Sequence, residues 1–255
     1  MAGARRRREQ HILAVVRRDG FASIEALARE LAVTPQTIRR DVNALCRDAR
    51  LMRTHGGATL PSSVQNLAYS ARQGLCLEEK RRIALAAAAR IPDQASLFLN
   101  IGTTTEAVAQ ALGSHKQLRV ITNNLNVAGA LSSREDFEVI VAGGLVRPRD
   151  RGIVGEATID LIRQFKVDIG VIGISGIDSD GELLDFDYRE VRVAQAIIAQ
   201  SRQVLLVADH TKFGRSAMVR LGSVAQIDLL VTDRAPPPAY RARLAEAGVE
   251  LLVAD

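Results

Sequence analysis

"SLFLNIGTTTEAVAQAL", residues 96–112, joins an apolar run to a helical pattern of small residues across Gly102 and three threonines. The apolar part has the length of a strand, and the spacing after it suits a helix, so the stretch predicts a strand–turn–helix unit. Its threonine cluster has two readings. It caps a helix, or it forms a cradle for an anion, because free N–H groups and partial positive charge collect at a helix N-terminus.

The same alternation continues along the chain. Apolar strand-like runs are expected at residues 97–101, 119–122, 137–142, 169–174, 204–208, 229–232 and 251–254. Helical segments fall between and after them at 105–112, 125–132, 156–165, 189–200 and 240–247. Continuous apolar strands alternating with helices predict an α/β domain with a mainly parallel sheet covered on both faces. A further helix, "LEEKRRIALAAAARIP", closes at Pro92, and "APPPAY" predicts a rigid turn before the last helix. The large domain therefore spans residues 77–255. Residues 61–76, "PSSVQNLAYSARQGLC", lack periodicity and read as a linker.

Ligands of open α/β sheets bind outside the carboxyl ends of the strands. The polar residues there are Gly102, Thr103, Thr104 and Thr105, then Asn123 and Asn124, Gly143 and Gly144, Ser175 with Asp178, and Asp209 to Lys212. Each group alone suits a turn or a helix cap. Together on one sheet edge they predict a polar-ligand site. Threonine hydroxyls, a helix N-terminus and Lys212 suit a small phosphorylated molecule. Neither G-x-G-x-x-G nor G-x-x-x-x-G-K-[ST] occurs, which disfavours dinucleotides and nucleoside triphosphates.

Charge singles out the other end of the chain. Residues 1–60 hold 12 Arg and no Lys against 6 acidic residues, whereas the remainder is almost neutral. A small polyanion-binding domain over residues 1–60 is the expectation. "VTPQTIRRDVNAL" supplies Thr34 as N-cap and Pro35 at the first helical position. Ile38, Val42 and Leu45 then face inward, leaving Gln36, Thr37, Arg39 and Arg40 outward. Preceded by two shorter amphipathic segments, this is the arrangement of a helix-turn-helix, whose second helix reads bases in the major groove. "LMRTHGGATL" adds a glycine hairpin, the wing, with Arg53 and His55 near phosphate or the minor groove. Arg5 to Arg8 suit a frayed tail or a phosphate-contacting arm.

Hydrophobic residues make up 47% of the 255 and charged ones 25%, enough apolar surface for a core. No apolar run approaches membrane-spanning length, and no apolar stretch follows the basic N-terminus as a secretory signal would require. Cys46 and Cys76 lack metal-ligand spacing. A cytoplasmic protein without metal or cofactor is the expectation.

"VTPQTIRRDVNAL", "RTHGGA" and "NIGTTTEAVA" together resemble the DeoR family of bacterial transcriptional repressors, over essentially the whole chain. "TNNLNVA", "GIVGEATIDLI", "GISGIDSDGELLDFDYREVR" and "DHTKFGRSAMV" most resemble its members that respond to glycerol-3-phosphate. The resemblance implies a winged helix-turn-helix followed by a sensor domain similar in fold to ribose-5-phosphate isomerase. It also implies a homo-oligomer, dimer or tetramer, that represses glycerol and glycerol-3-phosphate catabolic genes on double-stranded operator DNA until glycerol-3-phosphate releases it. Carried onto this chain, the phosphate loop is Gly102 to Thr105, and Lys212 matches a basic position of the sensor domain. Asn123, Asn124, Asp187 and Glu190 lie in motifs that match the rim of the site. "VRPRDRG", between Gly144 and Val154, departs from the family and reads as solvated.

Two alternatives stand beside this. One keeps the repressor and changes the effector to another sugar or polyol phosphate. The other makes the large domain an active sugar-phosphate isomerase, with Asp209, Lys212 and Glu190 as acid–base groups. The attached DNA reader argues against an enzyme.

Overall fold

Helix ends in the first part of the chain fall where a side chain can satisfy an open backbone N–H. The computed structural model describes residues 2–48, 50–54, 56–64 and 66–255, and the chain divides into units Met1–Ser63 and Val64–Asp255. The first unit contains α1 (Ala2–Asp19), β1 (Phe21–Ser23), α2 (Ile24–Glu30), α3 (Pro35–Arg47), β2 (Met52–Thr54) and β3 (Gly57–Thr59). Ser23 caps α2 by accepting from the Ala26 N–H at 3.0 Å, and Thr34 caps α3 by accepting from Thr37 at 3.3 Å. Ile38, Val42 and Leu45 of α3 are buried against Ile12, Val16 and Leu27.

The strands pair antiparallel in the order β1-β3-β2. Both glycines of the expected hairpin are used, for different reasons. Gly56 has φ +77° in the turn. A Cβ on Gly57 would lie 2.3 Å from the Ala22 carbonyl oxygen, so β1 can approach only a glycine there.

The arginine run is helical and not a frayed tail, and two of its members are engaged within the unit. α1 begins at Ala2 and takes in Arg5 to Arg8. Arg8 Nε donates to Oδ2 of the fully buried Asp41 in α3 at 2.5 Å, and Arg5 Nε lies 3.8 Å from Oδ1. A buried carboxylate needs a counter-charge, and Arg8, with Arg5 further off, supplies it.

The second unit contains α4 (Tyr69–Gly74), α5 (Leu77–Ala88), β4 (Ser96–Leu99), α6 (Thr103–Ala111), β5 (Arg119–Thr122), α7 (Leu125–Leu131) and β6 (Glu138–Val141). There follow β7 (Leu145–Val146), β8 (Ile153–Val154), α8 (Glu156–Arg163), β9 (Val167–Gly173), β10 (Gly176–Ile177), β11 (Glu182–Asp185) and α9 (Tyr188–Ala199). The chain ends through β12 (Ser201–Val207), β13 (Val219–Ser223), β14 (Leu229–Thr232), α10 (Pro238–Glu246) and β15 (Glu250–Val253).

Among the described residues a seven-stranded sheet runs β15-β14-β12-β9-β4-β5-β6, and all its pairs are parallel. Alternate residues of each strand enter opposite cores. Leu97, Leu99, Leu205 and Val207 pack with Ile83 of α5, Val108 of α6 and Val127 of α7. Phe98, Val204 and Leu206 pack with Ile159 of α8, Ile197 of α9 and Leu244 of α10. Burial on both faces is why these strands read as unbroken apolar runs. Strand order reverses between β4 and β9: the chain moves outward through β5 and β6, then returns to the other side of β4. That switch leaves a crevice at the strands' carboxyl ends.

The stretch expected as a linker contains α4. None of its residues is buried, so no apolar stripe marks it; polar bonds hold it instead. The antiparallel sheet β10-β11-β13 and the ribbon β7-β8 also lay outside the expected elements; β7, β8 and β10 have two residues each and carry no readable alternation. Pro238 opens α10, as the proline-rich turn predicts. No helix among the described residues is long and apolar enough to cross a membrane.

Candidate nucleic-acid interface and ligand cleft

α3 presents a polar face opposite its buried one. Gln36, Thr37, Arg39, Arg40, Asn43 and Arg47 line a concave surface there together with Arg53 of β2. Residues 36, 40, 43 and 47 recur at i, i+4, i+7 and i+11, which puts them on one helix face. Arg53 Nη1 donates to Asn43 Oδ1 at 3.1 Å, linking wing to helix. Arg39 Nη2 lies 3.8 Å from Glu25 Oε1 of α2, and both side chains are solvent-exposed. Four guanidiniums with one Gln and one Asn form a donor-rich surface suited to phosphates and to purine edges.

Thr34 stands apart from this surface, because its hydroxyl is engaged as the cap and by Thr37 Oγ1 at 3.0 Å. His55 lies outside the described residues. Asn43 and Arg47 went unread in the sequence, although their spacing from Gln36 and Arg40 was a usable signal.

The second site lies at the topological switch. Ile101, Gly102, Thr103 and Thr104 follow β4 into a cleft also lined by Gly173, Ile174 and Ser175 at the end of β9. Gly102 is the N-cap of α6 and carries no side chain to occupy the first-turn N–H groups. These groups and the helix dipole favour an anion.

Cations line the same cleft: Lys212 and Arg215 from the loop after β12, and Arg72 from α4. Lys212 Nζ lies 3.6 Å from Asp209 Oδ2. Burial works against the Asp209 carboxylate, but Lys212 and the bonds from Thr211 outweigh it and hold the group below its usual range. Arg215 donates to the Ser175 carbonyl at 3.2 Å and to Asn66 Oδ1 at 2.8 Å. Burial, then the neighbouring Arg72 charge, depress its pKa. Lys80, also buried, is brought down to about 8 by burial and by Lys212. Arg72 thus weighs on Arg215, and Lys212 on Lys80.

Two carboxyls share the cleft. Burial raises Asp185, which accepts from Ser175 Oγ at 3.1 Å and the Phe186 N–H at 2.6 Å. Burial and the adjacent Asp185 push Glu190 up to about 7, against the pull of Arg147. These groups can meet hydroxyls of a ligand whose anionic part rests on the cations.

The loop that read as solvated is so only in part: Val146, Pro148, Arg149 and Arg151 are exposed, but two of its charged side chains turn inward. Arg147 and Asp150 are buried, and Arg147 binds Asp150 at 2.7 Å, Glu190 at 2.8 Å and Asp187 at 3.1 Å. Three carboxylates converge on one guanidinium, whose pKa they raise although burial opposes them. Sequence separation of Arg147 from Asp187 and Glu190 hid this partnership.

Of the residues expected at the effector site, Gly102, Thr103, Thr104, Glu190 and Lys212 meet in the cleft. The others have different surroundings. Thr105 Oγ1 donates to the Asn100 and Gly102 carbonyls, closing the turn. Asn123 donates to the Ile153 carbonyl. Asn124 caps α7 and donates to Glu106. Asp187 caps α9 while pairing with Arg147 and Arg149. Gly143 accepts from Thr158 Oγ1, and a Cβ on Gly144 (φ +145°) would lie 2.3 Å from that same atom. Close packing on α8, not approach of a ligand, makes Gly144 a glycine. Arg72, Asp185 and Arg215 were not expected; a cation three residues beyond Lys212 was the one local signal.

Comparison with known proteins follows the same division. Residues 8–64 match the DeoR-like helix-turn-helix domain and residues 76–234 the DeoR C terminal sensor domain. The chain is 51% identical over 244 residues to the glycerol-3-phosphate regulon repressor of Escherichia coli (strain K12), covering 96% of this chain and 97% of the relative. It is 42% identical over 246 residues to the HTH-type transcriptional repressor CsqR of the same organism, covering 96% and 94%. Among solved structures, ribose 5 phosphate isomerase A from Neisseria gonorrhoeae superposes with a TM-score of 0.39 and 16% identity, over 54% of this chain and 53% of that one.

Proposed function

This chain belongs to the DeoR family, and from that premise we propose that it represses transcription of glycerol and glycerol-3-phosphate catabolic genes and leaves its operator when glycerol-3-phosphate binds. Gln36, Thr37, Arg39 and Arg40 read bases, while Arg47 and Arg53 hold phosphates. Two half-sites on operator DNA call for at least two copies of α3, hence a homo-oligomer. The sensor unit acts as a binder and not an enzyme, in the cytoplasm, without a cofactor.

The observation that carries the effector reading is the cleft itself. The open N-terminus of α6 shares it with Lys212 and Arg215, while Asp185 and Glu190 offer acceptors. A phosphate monoester bearing hydroxyls matches both halves of that chemistry. For release, the ligand must bind the DNA-incompetent arrangement better than the DNA-bound one, and DNA disfavours the ligand reciprocally. A coupling of about 1–3 kcal/mol weakens operator binding roughly 5–150-fold.

The test is a titration of labelled operator DNA at fixed salt, with and without glycerol-3-phosphate. Weakened binding in its presence is expected. Unchanged binding, with weakening by fructose or deoxyribose phosphates, would reassign the effector.

A further inference from the structure

We propose that Arg72 is itself an effector contact, donating to an oxygen of the ligand's phosphate, so that α4 takes part directly in sensing. This deepens the function proposed above and rests on it. Arg72 lines the cleft together with Thr103, Thr104, Lys212 and Arg215. Its Nε is buried with no hydrogen-bond partner among the described residues. A buried donor of this kind is costly to leave unmet, and an anion in the cleft would meet it. The nearest carboxylate does not: Arg72 Nη2 lies 3.8 Å from Asp150 Oδ2, an ion pair beyond hydrogen-bond length. The Arg72 charge also weighs on Arg215, which a shared anion would relieve.

The position of α4 in the chain makes this contact consequential. Asn66, three residues beyond the end of the first unit, accepts from Arg215 at 2.8 Å and donates to Ser175 Oγ at 3.2 Å. Six residues later Arg72 reaches the same cleft. Between them Tyr69 donates to Glu106 Oε2 at 2.7 Å, and Lys80 donates to the Arg72 carbonyl. With no residue of its own in the core, α4 depends on these polar bonds. Elements held in this way lie at the low-stability end of a fold and respond most to added contacts. An anion joining Arg72 to Arg215 would tighten residues 66–74, the stretch that leads on from the DNA-reading unit.

The test uses the full chain. Calorimetric titration with glycerol-3-phosphate is expected to show roughly ten- to hundredfold weaker binding in Arg72→Gln, with partial recovery in Arg72→Lys. Hydrogen exchange over residues 66–75 is expected to slow when wild-type protein is saturated with the ligand. Wild-type affinity in Arg72→Gln overturns the proposal, and so does wild-type exchange that saturation leaves unchanged. A solely structural role would speed exchange in unliganded Arg72→Gln at unaltered affinity, and it too overturns the proposal. Binding lost in Lys212→Ala but kept in Arg72→Gln sinks this inference alone. Absence of binding in the wild type removes the functional reading and this inference with it.

Discussion

Arg8 Nε of α1 donates to Oδ2 of Asp41 in α3 at 2.5 Å, and the Asp41 side chain is fully enclosed. One arginine of a segment that suits a phosphate-seeking arm is thus occupied in seating the reading helix. Arg8→Ala leaves a buried charge without its closest counter-ion and should cost about 2 kcal/mol, less than a fully dry pair because Arg8 retains some solvent. Urea unfolding measures this. The salt dependence of operator binding should keep its wild-type slope, since Arg8 releases no phosphate counterion.

The concave face of α3 makes the opposite prediction. Arg39→Ala or Arg40→Ala should each lose about 1–3 kcal/mol of operator affinity and relax base preference at one position. Arg47→Ala should weaken binding to all sequences alike and lower the salt slope by about one. Fluorescence anisotropy with matched and mismatched duplexes at several salt concentrations separates these cases. Equal losses on every duplex for Arg39 and Arg40 would make them phosphate contacts.

In the cleft, Lys212→Ala should weaken glycerol-3-phosphate roughly ten- to hundredfold and blunt induction. Thr104→Val removes a hydroxyl at the α6 N-terminus with little change of volume and should have a smaller effect of the same kind. Normal induction in both variants would remove them from the site.

Arg147→Met tests the buried cluster. With Asp150, Asp187 and Glu190 left facing one another, the expected cost is about 3–5 kcal/mol in urea unfolding. A solvated loop would show a change within about 0.5 kcal/mol.

Asp233 grips His210 twice, through the backbone N–H at 2.6 Å and Nδ1 at 2.8 Å. The bond to Asp233 raises the imidazole pKa above its ordinary value, although burial opposes it. The pair's contribution is therefore full below about pH 6.5, and it is lost as pH rises through the raised value. Asp233 is held below the usual range by the same bonds, so its share is lost only in acid. Unfolding free energy should decline from about pH 6.5 upward, and His210→Asn should flatten that decline. An unchanged slope would place the titration elsewhere.

Most of the framework was legible in the sequence because it rests on local physics. The runs around Arg119–Thr122 and Leu229–Thr232 read as strands because both their faces are buried. Thr34 and Pro35 mark the start of α3 because capping chemistry acts within a few residues. The outward Gln36, Arg39 and Arg40 follow from helical periodicity alone. The threonine stretch after β4 was likewise readable as an open helix N-terminus.

What joined those pieces was decided by the tertiary structure. The strand order β12-β9-β4 brings the loop after β12 to the end of β4, so Thr104 shares a cleft with Lys212, more than a hundred residues away in the chain. The same packing diverts Thr105, Asn123 and Asn124 to backbone bonds, and encloses Arg147 with partners forty residues distant. It also draws Arg72 from a stretch without hydropathy pattern into the site. Periodicity and capping act over a few residues and are written in sequence. Burial and charge pairing act across space, and they exist only once the sheet has set which distant side chains meet.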